Sequence, residues 1–331
     1  MKVGIVGLGY WGPNLVRNFS ANPDIEEVVV CDLRQERLNL IKEKFPACKS
    51  INSIEELFKL NLNIVAIATP VRTHYSIAKK ALENNINVWL EKPFTSTSDE
   101  AKELIKIAEE RNLKIFVDHT FIYTGAVKKL KEIIDAGELG DILYFDSVRI
   151  NLGLFQHDVN VIWDLAPHDF SIMHYLLDKK VNAVSAHGIA NYYDHANLAH
   201  VSLHFKDNCF AHFHVNWTSP VKIRKMLIGG SKKMVVFDDM ENFEKIKIYD
   251  SGIEMKNDES IHQALIQYRI GDMYSPKVLQ TEALALGVKE FISAIRENRQ
   301  PLTNCYDGLK VVKILEAADK SIHQDGKLIE I

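Results

Sequence analysis

An α/β chain in two parts is what this sequence predicts: an N-terminal doubly wound parallel sheet, then an α+β domain with a large open, mostly antiparallel sheet. Three observations carry the prediction. Short β-branched runs alternate with helical patterns up to about residue 120, a glycine turn joins the first run to the first helix, and long alternating segments take over after residue 140. The chain has 331 residues, more than one ordinary hydrophobic core organises, so the expected division is 1–120 and 121–331.

In the first part, strands are expected at Lys2 to Val6, Val28 to Asp32, Asn63 to Ala68, Asn87 to Leu90 and Lys114 to Val117. Helices fall between them at Arg34 to Lys44, His74 to Glu83 and Ser98 to Arg111, the last opened by Ser96, Thr97 or Ser98 as a cap. After a helix from Gly125 to Ala136, alternation predicts strands at 142–150, 181–190, 199–206, 210–218, 222–229 and 233–237. Val201, Leu203 and Phe205 share one face, as do Ala211, Phe213, Val215 and Trp217. Matching these sets through an odd-length turn at Asp207 to Cys209 places His204 opposite His212 and leaves the second face polar. Thr281 to Asn298 and Gly308 to His323 read as helices separated by the breaker Gln300-Pro301.

Apolar residues make up 47% and charged residues 25% of the chain, which supports packed cores and excludes a disordered class. The net charge of −4 supplies no basic field, so neither nucleic acid nor a membrane surface is an expected partner. Cys31, Cys48, Cys209 and Cys305 form no paired motif and read as reduced thiols, consistent with a cytoplasmic location. His200, His204, His212 and His214 are spread along two strands without a carboxylate partner, so no metal is expected there.

Gly7-Leu8-Gly9-Tyr10-Trp11-Gly12 directly follows a strand and opens a helix with Pro13 in its first turn. Gly7 permits the tight turn, Gly9 lets backbone approach a pyrophosphate, and Gly12 lets the helix pack on the strand. A glycine turn alone is weak. Here Asp32 stands 20 residues past Gly12 at the end of the second strand, where a carboxylate accepts hydrogen bonds from ribose hydroxyls. Together they point to a dinucleotide, with NAD expected over NADP because Asp32 repels a 2′-phosphate, a repulsion Arg34 offsets in part.

Thr69-Pro70, with His74 after them, and Glu91-Lys92-Pro93 stand just past the carboxyl ends of expected parallel strands, which line the ligand crevice of such a sheet. The expected cofactor contacts are therefore Gly7, Leu8, Gly9, Tyr10, Trp11, Gly12, Asp32, Arg34, Thr69, Pro70, His74, Glu91 and Lys92. Further on, Trp163 to Asp169 holds Asp164, Pro167 and His168. Pro167 suits a first helical turn, which would set His168 at a helix amino terminus and keep it neutral, as a base must be. Tyr123, Arg149 and Asn160 are weaker candidates for substrate contact beside Lys92, Asp164 and His168.

In this order, the glycine turn, Glu91-Lys92-Pro93 and Asp164-x-x-x-His168 resemble the glucose-fructose oxidoreductase, inositol dehydrogenase and rhizopine catabolism (Gfo/Idh/MocA) family across essentially the whole chain. The resemblance implies a Rossmann domain at 1–120 binding NAD(P). It also implies a substrate-binding and oligomerisation domain at 121–331, a homo-oligomer formed through the open sheet, and Lys92, Asp164 and His168 as the catalytic set. The chain departs from many relatives in having Asp158-Val159-Asn160 where they carry glycines, and Ser171 three residues after the histidine. The stretch Asn151 to Asp169 is similar to members that modify nucleotide sugars, such as UDP-N-acetylglucosamine 3-dehydrogenases. The implied activity is NAD-dependent oxidation of a secondary hydroxyl at C3 of a sugar or nucleotide sugar. Inositol or free-polyol oxidation is the second reading, and a non-catalytic dinucleotide-responsive regulator the third.

Overall fold

A computed structural model describes residues 1–153, 158–192, 194–255 and 266–331. By internal contacts the chain forms two units, 1–123 with 281–313, and 124–280 with 314–331. The first unit is built on six parallel strands: β1 (Lys2–Val6), β2 (Glu27–Cys31), β3 (Lys49–Ile51), β4 (Ile64–Ile67), β5 (Asn87–Leu90) and β6 (Ile115–Val117). Their spatial order is β3-β2-β1-β4-β5-β6, so the winding reverses between β1 and β4. That reversal is where an open α/β sheet leaves a crevice for ligand. The helices α1 (Gly12–Ala21), α2 (Gln35–Lys44), α3 (Ile54–Leu57), α4 (His74–Glu83) and α5 (Ser98–Glu110) form the connections. A capping box opens α5: Thr97 accepts from the Glu100 N–H and Glu100 accepts from the Thr97 N–H.

The sheet core is aromatic, with Trp89 stacked on Phe116 at 3.9 Å between centroids. Phe291 packs on Phe116 at 5.5 Å, and it comes from α8 (Ala283–Arg296). Residues 281–313, which chain order assigns to the second domain, thus complete the first unit's core. Gly287 makes the approach possible, since a Cβ there would lie 3.1 Å from the Trp89 ring and 3.2 Å from Phe116.

The second unit holds α6 (Gly125–Asp135), α7 (Val161–Leu177) and the strands β7 (Ile142–Leu152), β8 (Val181–Ile189), β9 (Leu198–Phe205), β10 (Phe210–Asn216), β11 (Thr218–Gly230), β12 (Met234–Asp238), β13 (Ile246–Tyr249), β16 (Met273–Tyr274) and β17 (Ile329–Glu330). They make one nine-stranded sheet in the order β16-β13-β12-β11-β7-β10-β9-β8-β17. Only the β7–β10 pair is parallel. A separate ribbon joins β14 (Gly252–Met255) to β15 (Ile266–Arg269). The last helix, α9 (Cys305–Ile322), begins in the first unit and ends in the second.

Helix α7 covers one face of the large sheet, where Phe170 meets Phe213 edge-to-face at 4.8 Å. The other face carries the histidines, but not in the expected register. His204 pairs with Phe210 and His212 with Ser202, while His200 faces His214. The Cys209 N–H bonds the Asp207 carboxylate at 3.3 Å, which closes the turn two residues sooner than expected. A two-residue slide keeps every side chain on its face, so the apolar match survives with different partners. His200 stacks on His214 at 4.3 Å and brings Nδ1 to 3.2 Å from Nε2 of His212.

Arg149 is buried on the covered face and cannot reach out to a substrate phosphate. Its Nε lies 3.0 and 2.9 Å from the two Asp169 oxygens and its Nη2 2.6 Å from Oδ1, with side-chain exposures of 4% and 1%. Removing one member of such a pair strands the other charge, at about 3–5 kcal/mol. Arg149→Met is therefore expected to lower the urea midpoint by that equivalent, and Arg149→Met with Asp169→Leu to recover most of it. Unchanged stability in the single variant would contradict the structural role.

Candidate active site

The turn after β1 has the form a dinucleotide requires. Gly7 adopts φ +92°, and a Cβ on it would sit 2.6 Å from the Ala68 carbonyl oxygen. At Gly12 a Cβ would lie 2.2 Å from the Gly7 oxygen, so both glycines are enforced by packing. Around Gly9 the nearest atom to such a Cβ is Arg37 Nη1 at 3.6 Å, which leaves this side open for the backbone to meet a ligand. The first residue before α1, Trp11, supplies no side-chain cap, so the helix keeps N–H groups for an anion. Asp32 is fixed beneath them: its Oδ2 accepts from the Leu8 N–H at 2.8 Å and its Oδ1 from the Arg34 N–H at 2.9 Å. Arg34 Nε and Arg37 Nη1 stand 3.8 and 3.5 Å from the same carboxylate. Tyr10 is 84% exposed and meets Trp11 edge-to-face, an aromatic pair standing over the turn. These residues fit a bound dinucleotide.

Thr69 and Pro70 follow β4 with partial or full exposure, as a ligand-facing turn should. His74 does not join them as a cofactor contact. It is buried, and its ring nitrogens lie 2.9 Å from the Thr69 carbonyl and 3.0 Å from that of Pro93. Burial pushes its imidazole down while the two carbonyls push it up, and whichever ring nitrogen carries a proton ties the ring to the carbonyl facing it. Glu91 also turns inward. It is buried and hydrogen-bonded to Asp118, which stands at the end of the neighbouring strand with its N–H on the Leu90 carbonyl at 2.8 Å. Burial raises Glu91 well above the usual carboxylate range and Asp118 up to about 6, and Thr120 Oγ1 donates to Asp118 at 2.6 Å. Two buried carboxyls side by side resist both being ionised. Lys92, half-buried, follows directly with a cis bond to Pro93. Tyr123, expected as a substrate contact, is 2% exposed and bonds Thr303 at 3.0 Å, which places it in the core of the first unit.

In the second unit, α7 starts six residues before Pro167, so His168 is two turns inside the helix and not at its amino terminus. The cap is Asn160, whose Oδ1 accepts from the Ile162 and Trp163 N–H groups at 3.0 and 3.1 Å. Its Nδ2 donates to Asp319 at 2.6 Å, and Trp163 Nε1 donates to the other Asp319 oxygen at 2.6 Å. Asn160 is thereby committed to the helix cap and its anchor on Asp319. Asp164 takes the dipole-favoured first turn and accepts from the Trp217 indole at 3.0 Å. Four residues on, His168 shares its face, and both are half-buried while their neighbours Ala166 and Pro167 are buried. The segment 154–157, within the motif read as similar to nucleotide-sugar enzymes, lies outside the described residues.

Comparison with known proteins follows the same two parts. Residues 1–119 match the oxidoreductase family with an NAD-binding Rossmann fold, and residues 127–236 match the GFO/IDH/MocA C-terminal domain. The chain belongs to the Gfo/Idh/MocA family. It is accordingly an NAD(P)-dependent dehydrogenase. Among Gfo/Idh/MocA relatives, UDP-N-acetylglucosamine 3-dehydrogenase of Acidithiobacillus ferrooxidans is 26% identical over 96% of this chain and 95% of its own. Myo-inositol 2-dehydrogenase of Thermotoga maritima is 21% identical over 98% and 97%. The solved structure of the Acidithiobacillus enzyme superposes with a TM-score of 0.82 at 24% identity, covering 97% of this chain and 98% of that one. An oxidoreductase from Agrobacterium radiobacter in complex with NAD+, L-tartaric acid and magnesium reaches 0.85 at 15% identity, covering 100% and 98%.

Three features of this Gfo/Idh/MocA chain escape a reading of the sequence: the Asp118 partner of Glu91, the Trp217 bond to Asp164, and the Asp319 anchor of the α7 cap. Asp118 alone had a local signal, since it stands past a strand's carboxyl end as Lys92 does. Its raised ionisation has a measurable sign. A carboxyl whose folded value is raised contributes stability that is full below the ordinary range and lost as pH rises through about 6. Wild-type thermal stability is therefore expected to carry a falling component between about pH 4 and pH 7 that Asp118→Asn lacks. Parallel curves for the two proteins would contradict the raised ionisation of Asp118.

Proposed function

We propose that the protein oxidises a secondary hydroxyl, at C3, of a sugar nucleotide such as UDP-N-acetylglucosamine, using NAD. The observation that carries alcohol oxidation is a half-exposed Asp164–His168 face on a capped helix in a chain that also holds a dinucleotide turn and Lys92 at a strand end. Nicotinamide, when bound, accepts the hydride. His168 removes the hydroxyl proton, the O–H electron pair becomes the second bond of the ketone, and the C–H pair leaves the carbon as hydride. Lys92 donates a hydrogen bond to that oxygen and stabilises its alkoxide character. Asp164, held by Trp217, orients His168 or binds a neighbouring hydroxyl. With His168 inside α7, its service as a base rests on this local setting and not on a helix terminus.

The preference for NAD rests on Asp32, whose fixed carboxylate suits ribose hydroxyls and repels a 2′-phosphate. The choice of a nucleotide sugar is supported by the Acidithiobacillus relative, which matches over both parts of the chain. Inositol oxidation is the second reading, favoured by the Thermotoga and Salmonella inositol dehydrogenases. A non-catalytic regulator is disfavoured by the presence of Lys92, Asp164 and His168 together.

The test is NADH absorbance with a panel of UDP-sugars, inositols and free hexoses. Turnover is expected with UDP-N-acetylglucosamine, and Lys92→Met and His168→Ala are expected to lower kcat by about 100-fold or more while still binding NAD. Turnover of inositol alone would move the assignment to the second reading. Wild-type rates in either variant would overturn the roles given to these residues.

A further inference from the structure

The paired carboxyls beside Lys92 have no part in hydride or proton transfer as described above, yet they are the most deeply buried acids at this strand end. Glu91 is 7% exposed and Asp118 2%. They stand on adjacent parallel strands, with Leu90 paired to Val117, so their side chains leave the sheet side by side. Glu91 Oε1 and Asp118 Oδ2 bond no further group among the described residues. A carboxyl–carboxyl hydrogen bond needs a proton, and one proton on two carboxyls leaves one negative charge. A buried charge requires an opposite charge nearby. The positive charge that acts on both acids is that of Lys92. Of the other groups around them, Thr120 and Tyr123 are hydroxyls, burial pushes the His74 imidazole down, and the buried His119 follows Asp118 in the chain.

We propose that Glu91 and Asp118 act as a single-charge counter-ion that holds Lys92 in its ammonium form, making Asp118 a positioning residue for the reaction. The role of Lys92 toward substrate rests on the function proposed above; the counter-ion itself does not. One negative charge balances one ammonium without removing the net attraction of the site for a developing alkoxide. Two would compete with that alkoxide for the same ammonium. The pair keeps its proton through turnover, and the substrate proton goes to His168.

The test uses the whole protein without substrate. Infrared spectroscopy at about pH 7 is expected to show a protonated carboxyl band that Asp118→Asn removes, since the amide can donate to Glu91 and needs no shared proton. Acylation of Lys92 by acetic anhydride, followed by mass spectrometry across pH, then reports how much neutral amine is present. Asp118→Asn preserves the charge and is expected to label within about two-fold of wild type at pH 8; Glu91→Gln with Asp118→Asn removes it and is expected to label about five-fold faster or more. No carboxyl band in the wild type, or wild-type labelling in the folded double variant, would overturn the proposal. If the double variant does not fold, the band and its loss in Asp118→Asn decide. Labelling that follows the charge without turnover on any sugar would sink the proposed function and leave the counter-ion standing; turnover with labelling indifferent to charge would do the reverse.

Discussion

The backbone at Gly7 has no room for a side chain, and much of the first unit is arranged around that fact. The Gly7 N–H bonds the Cys31 carbonyl at 2.9 Å and the Ala68 N–H bonds the Val6 carbonyl at 2.8 Å, so the ends of β1, β2 and β4 converge on one turn. Gly12 brings α1 against the same point. Asp32 reaches back to the Leu8 N–H because β2 ends beside that turn. A side chain at Gly7 or Gly12 would separate helix from strand and move Asp32 relative to the anion site. The glycines thus set the distance between the helix amino terminus and the Asp32 carboxylate.

At the next strand ends the problem is charge. Parallel strands buried on both faces deliver polar residues into a poorly hydrated rim, where each needs a partner. The structure answers with His74 set between two carbonyls, with Glu91 and Asp118 side by side on adjacent strand ends, and with Lys92 next to Glu91 in the chain. The second unit uses the same economy of partners. Arg149 locks Asp169 on the covered side of α7, Asp319 and Asn160 fix its first turn, and the face bearing Asp164 and His168 is left partly exposed.

Much of this was legible in the sequence. Continuous apolar runs such as Ile64–Ile67 announce buried parallel strands, and alternation announces the open sheet. β3, three residues long with only Ile51 apolar, carries no such signal. The apolar stripe of α8 shows that the helix is covered but not by which unit. Pro167 reads as a helix start because proline is common there, yet the cap was Asn160, and α7 runs through the proline. The parity of the β9–β10 register was readable from its apolar sets, while its offset depended on an Asp207 turn that periodicity does not encode. Lys92, Asp164 and His168 were visible as motif positions. Their supports were not, because Asp319 lies 159 residues from Asn160 and Trp217 53 from Asp164.

The central claim is that one C–H bond of a nucleotide sugar is broken with its hydride passing to nicotinamide. Incubating the enzyme and NAD with UDP-N-acetylglucosamine deuterated at C3 and measuring the reduced cofactor by mass spectrometry tests this most directly. The account predicts one deuterium per NADH from the C3-labelled sugar and none from sugar labelled elsewhere. NADH formed without deuterium, or carrying it from another ring position, would contradict the account.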